Sequence, residues 1–70
     1  MIALYARNSP DEILTRVGRK YAKLETACQK ARTLAAFEVE IREESLPRSR
    51  SLLTIFVEGR EIDANPYQRT

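Results

Sequence analysis

The sequence predicts an α+β domain in the order strand, long amphipathic helix, β-hairpin (βαββ), with one helix packed on a small sheet. Three observations lead there. Residues 37–43 alternate apolar and polar side chains strictly, and residues 2–7 alternate well enough for a strand. Residues 9–36 carry apolar residues at helical spacing. Residues 51–58 form a second β-rich run, separated from 37–43 by a polar loop with a proline.

The first strand, residues 2–7, places Ile2 and Leu4 on one face and Tyr5 and Arg7 on the other. Ser9-Pro10-Asp11-Glu12 then reads as a helix start. Ser9 caps, Pro10 suits the first helical position because its missing N–H needs no partner there, and Glu12 completes a capping box. Leu14, Val17, Tyr21, Leu24, Cys28, Ala31 and Ala35 follow at 3-4 spacing, flanked by Ile13, Ala27 and Leu34. Gly18 stands against this helix, since a glycine in its interior costs ~1 kcal/mol relative to alanine. A rival reading makes residues 13–21 a strand paired with 2–7, with Ser9-Pro10-Asp11 as the turn and the helix starting near Lys23. Thr15, Val17 and Gly18 suit the rival; Lys23 is a poor cap, and Leu14 would point away from Ile13 and Val17.

The long helix is the reading adopted. It would run ~42 Å at 1.5 Å per residue, against ~23 Å for a seven-residue strand. The excess stripe must bend, meet a partner or meet a second copy. Together with the small core of a 70-residue chain, this predicts a homodimer.

Phe37, Val39 and Ile41 alternate with Glu38, Glu40 and Arg42 in the clearest strand of the chain. Residues 45–50 form the hairpin loop, and Glu58-Gly59 turns the chain into a short strand at 60–63. Residues 1–63 thus make one domain, and 64–70 a loose tail. If residues 2–7 and 37–43 share a sheet, the crossover through the helix is right-handed.

Composition excludes several classes of function. Hydrophobic residues are 43% and charged residues 31% of the chain, which predicts a soluble globular fold. No apolar run is long enough to span a bilayer, and Arg7 and Asn8 interrupt the N-terminal one, so a cytoplasmic protein is expected. A single cysteine, Cys28, allows no internal disulfide. The absence of histidine removes Ser-His-Asp and Cys-His catalysis and the usual zinc sites. Only Gly18 and Gly59 are present, so no glycine-rich phosphate loop exists. A non-enzymatic protein without cofactor or metal is expected.

The remaining chemistry is charge. Cys28 reads as filler on the apolar helix face. Glu38, Glu40, Glu43 and Glu44 read as a solvated acidic face. Residues 9–36 hold six basic and three acidic side chains, and residues 37–45 one basic and four acidic. These opposite balances favour complementarity within or between chains over nucleic acid. With Ile2, Leu4, Phe37, Val39, Ile41, Leu53, Ile55 and Val57 facing the helix, Tyr5, Leu52 and Phe56 face away, beside Glu38, Glu40, Arg7 and Arg42. Large apolar residues on a nominally solvated face mark an interface.

The expected function is a small protein-interaction module, a regulator or inhibitor that occupies a partner protein's surface. Tyr5, Leu52, Phe56, Arg7 and Arg42 are its candidate binding residues. Strand–helix–hairpin order is common among small bacterial and phage regulators, an analogy at the level of fold alone. The alternative is a nucleic-acid-binding accessory protein. It would use a basic helix flank of Arg16, Arg19, Lys20, Lys23 and Lys30 with Arg48 and Arg50 of the loop.

Overall fold

The N-terminal strand β1 (Ile2–Arg7) lies where the sequence places it. The chain turns through residues 8–14 into β2 (Thr15–Tyr21) and passes into α1 (Leu24–Thr33). It returns through β3 (Glu38–Glu43), a 3-10 turn at Arg48–Arg50, β4 (Leu52–Val57) and β5 (Arg60–Ile62). The computed structural model describes residues 1–62, apart from the side chain of Arg48; the expected tail at 64–70 lies outside the described residues. The five strands form one antiparallel sheet in the order β2-β1-β3-β4-β5. The α+β class and the helix-on-sheet packing therefore stand, but the order is ββαβββ rather than βαββ.

The long helix over 9–36 does not form, and the rival reading of residues 13–21 does. Its start signal serves a hairpin loop instead. The Asn8 N–H donates to Glu12 Oε1 at 2.7 Å, and the Glu12 N–H to the Ser9 carbonyl at 3.2 Å. Arg7 Nη1 donates to the Pro10 carbonyl at 2.9 Å. Ile13, one of the supposed stripe residues, is 81% exposed.

The apparent periodicity has a local cause. Leu4 pairs with Val17 and Ile2 with Tyr21, so two steps along β1 match four along β2. Val17 and Tyr21, four apart, share the core face of a strand as they would share a helix face, and Arg19 between them stays exposed at the bulge. Gly18 supplies the left-handed backbone, φ +69°, within it. The excess stripe, and the dimer argument built on it, disappear with the long helix.

α1 has ten residues and no side-chain cap at Lys23, so packing rather than its ends stabilises it. It touches β1, β2 and β3. Ala27 and Ala31, one turn apart, are fully buried, and their small side chains let the helix approach the strands closely. The core comprises Ile2, Leu4, Ala6, Tyr21, Val39, Ile41 and Phe56 with these two alanines. β2 and β3 are both antiparallel to β1, hence parallel to each other. The helical crossover therefore joins β2 to β3 and passes over β1, while β1 and β3 are antiparallel neighbours.

A second bulge sets the faces of β4. Ile41 pairs with Thr54 but Arg42 with Leu52, leaving Leu53 extra. Leu52 falls on the face away from the helix, as expected, and Leu53 packs against the core. Beyond the bulge the parity reverses. Phe56 pairs with Val39 and is 1% exposed, so it is a core residue rather than an interface residue. Ile55 and Val57 pair with Glu40 and Glu38 and take the open face instead. Phe37 is also corrected: it precedes β3, half-buried, with the Arg7 guanidinium 5.6 Å from its ring centroid. The expected turn into the last strand is present, with Glu58 at φ 52° and Gly59 at φ 82°. Two successive residues of positive φ match the twist of a two-residue hairpin.

Candidate functional site: the open face of the sheet

The sheet face opposite α1 has two halves. On β4 and β5 it presents Leu52, Ile55, Val57 and Ile62, with Ile55 and Ile62 directly opposite each other. Ile62 is 42% exposed and the other three are half-buried. On β1, β3 and the near side of β2 it presents Tyr5, Arg7, Arg16, Glu38, Glu40 and Arg42.

Tyr5 organises the polar half. Its hydroxyl donates to Glu44 Oε2 at 2.5 Å, and the Arg42 guanidinium lies 5.0 Å from its ring centroid. Lys20 Nζ reaches the other Glu44 oxygen at 3.1 Å. The hydrogen bond to Glu44 is the main cause that raises the Tyr5 phenol above its ordinary value, and the same bond leads the lowering of the Glu44 carboxyl. The pair thus keeps its proton on the phenol. Arg7 binds Glu38 through Nε at 2.7 Å and Nη2 at 2.6 Å. Arg42 pairs with Glu40 on the same strand. The terminal amine of Met1 meets Glu43 Oε1 at 2.8 Å. That contact, ahead of the Ser45 N–H and hydroxyl, holds the Glu43 carboxyl down at about 2.

All four acids of residues 37–45 therefore have a cation from their own chain. Pairs near a surface add little to stability, and those of Glu38 and Glu40 are half-buried. Their effect here is to neutralise the face in advance.

Tyr5, Leu52, Arg7 and Arg42 come together on one face, as the sequence indicates, and Phe56 does not join them. Ile55, Val57 and Ile62 belong to that face too, although alternation along 51–58 puts the first two on the helix side. The Leu52-Leu53 doublet is the sequence mark that could have exposed the bulge, because strict alternation cannot hold two adjacent leucines.

The supposed basic flank is not a helix flank. Arg16, Arg19 and Lys20 lie on the edge strand β2, Lys23 precedes α1, and Lys30 alone is helical. Arg50 lies exposed in the 3-10 turn, on the other side of β3 from β2. Among the described residues Arg16, Arg19, Lys23 and Lys30 make no ion pair.

Nucleophilic chemistry has little footing. Cys28 is half-buried between α1 and the sheet, and desolvation, with Glu61 adding to it, raises its thiol above the ordinary value. Such a thiol stays protonated at neutral pH. Among the described residues no three potential metal ligands cluster, and no helix is long and apolar enough to cross a membrane. Comparison of the chain with protein-family models, curated proteins and solved structures finds no match.

Proposed function

We propose that the chain is a small non-enzymatic protein-interaction module, a regulator or inhibitor that works by occupying a protein surface with the open face of its sheet. One observation carries this reading: the apolar strip of Ile55, Val57 and Ile62, extended by Leu52, on a face that no helix among the described residues covers. Burying such a strip is favourable by roughly 25 cal/mol per Å². The neighbouring charges support it, because Arg7, Arg42, Glu38 and Glu40 are already paired and lose less on leaving water than isolated ions would. Tyr5, under the Arg42 guanidinium, is the aromatic anchor of the polar half.

The first occupant to test is a second copy of the chain. Light scattering coupled to gel filtration should give twice the chain mass at micromolar concentration. Ile55→Lys, which sets a cation opposite Glu40, should give the single-chain mass while keeping a cooperative melt. A parent that stays monomeric removes self-association from the reading.

A second reading, a nucleic-acid-binding accessory protein, is favoured by a different observation. The acids of β3 and its following turn are spoken for, whereas Arg16, Arg19, Lys23 and Lys30 around β2 and α1 have no ion pair among the described residues. Binding to oligonucleotides across a salt series separates it from the first reading.

A further inference from the structure

On the helix side of the sheet, away from the apolar strip, a groove of about 400 Å³ runs between β2 and α1. Arg19 and Tyr21 line it from the strand, and Thr26, Gln29, Lys30 and Thr33 from the helix. The four helical residues fall at i, i+3, i+4 and i+7, one stripe about 10 Å long. Among the described residues none that lines it is acidic. Its two cations are among those that make no ion pair with the described residues. The Arg19 guanidinium lies over the buried Tyr21 ring, 5.6 Å from its centroid, in reach of a cation–π contact.

We infer that this groove binds single-stranded nucleic acid. The inference rests on the second reading above and is independent of the open face. Arg19 and Lys30 meet phosphates from opposite walls, so the ligand is polyanionic. A guanidinium plane over an aromatic ring is a surface on which an unstacked base can lie. Gln29 offers both a donor and an acceptor to a base or sugar edge. The Thr33 hydroxyl donates its proton to the Lys30 carbonyl at 2.7 Å, so it faces the ligand as an acceptor. A duplex hides its base faces in the stack and cannot use the Arg19 plane, which makes the single strand the better occupant.

Fluorescence anisotropy with a labelled mixed-sequence single-stranded oligonucleotide, and with the matching duplex, across a salt series tests this. The parent should prefer the single strand. Arg19→Gln and Lys30→Gln should each weaken binding about three- to tenfold at low salt and flatten the salt dependence by about 0.7 in log–log slope, the loss of one phosphate contact. Arg19→Lys should restore the slope but not the affinity, since it returns the charge without the plane. Arg60→Gln removes the same charge from β5, at the opposite edge of the sheet, and should leave binding within twofold. Melting curves confirm that each variant is folded. If Arg60→Gln weakens binding as much as Arg19→Gln, net charge explains the affinity; the groove is then wrong while the second reading survives. Preference for the duplex overturns the stated occupant. A parent that binds neither probe overturns the groove and the second reading together.

Discussion

Glu43 and Glu44 are neighbours in sequence and serve different partners. Glu43 accepts from the Met1 amine and from Ser45, and Glu44 from Tyr5 and Lys20. Both carboxyls titrate below their ordinary range, Glu43 at about 2 against 4.5. A depressed carboxyl favours the fold wherever it is ionised in both states, that is, above about 4.5. That contribution fades as pH falls from 4.5 and is gone below about 2. Glu43→Gln keeps the shape and loses the charge, so it should lower stability at neutral pH. The gap to the parent should close steadily as the solution is acidified. Denaturant titrations at a series of pH values read this directly. Parallel profiles for the two proteins would mean that the amine–carboxylate contact does not persist in solution.

At the scale of the element, β2 carries the main surprise. An edge strand can be read by unpaired neighbours, and this one is guarded by three cations and a bulge. Gly18 makes the bulge possible: its φ is +69°, and a Cβ there would touch nothing within 4 Å. The cost of a side chain is therefore backbone strain, not collision. Gly18→Ala should destabilise by about 1–2 kcal/mol, the penalty of left-handed backbone with a Cβ. A helix interior would make the same change stabilising, so thermal melts discriminate between the two conformations by sign alone. β1 and β3 were legible by alternation, β5 by its Glu58-Gly59 turn, and β4 as a β-rich run whose faces alternation misassigns. β2 was not, because exposed Arg19 interrupts the alternation between core residues Val17 and Tyr21 and leaves a spacing of four that a helix shares. The cap-like Ser9-Pro10-Asp11-Glu12 added a start signal, yet a polar turn uses the same hydrogen-bonding groups as a helix cap.

At the scale of the molecule, α1 over the sheet of β1 to β5 gives the described residues two unlike surfaces, a helix-side core and a face that α1 does not cover. Which surface a residue of β4 serves depends on a single extra residue, Leu53. The members of the candidate site that precede this bulge, or lie on β1 and β3, were legible by alternation; those beyond it, Ile55 and Val57, were inverted. Phe56 and Ile55 therefore provide the sharpest test of the architecture. Phe56 is among the largest fully buried side chains, set against Val39 and covered by the Arg32 guanidinium 5.3 Å from its ring centroid. Phe56→Ala removes most of that side chain from the core and should cost about 3–5 kcal/mol, enough to unfold many domains of this size. Ile55 lies one residue earlier on the open face, half-buried opposite Ile62. Ile55→Ala should cost about 1 kcal/mol, since it leaves no enclosed cavity. Urea titration of both variants beside the parent, followed by circular dichroism, measures the difference. A folded Phe56→Ala with an unfolded Ile55→Ala would place the bulge elsewhere in β4 and withdraw the apolar strip. The expected order keeps Ile55 as the residue whose loss spares the fold and weakens association.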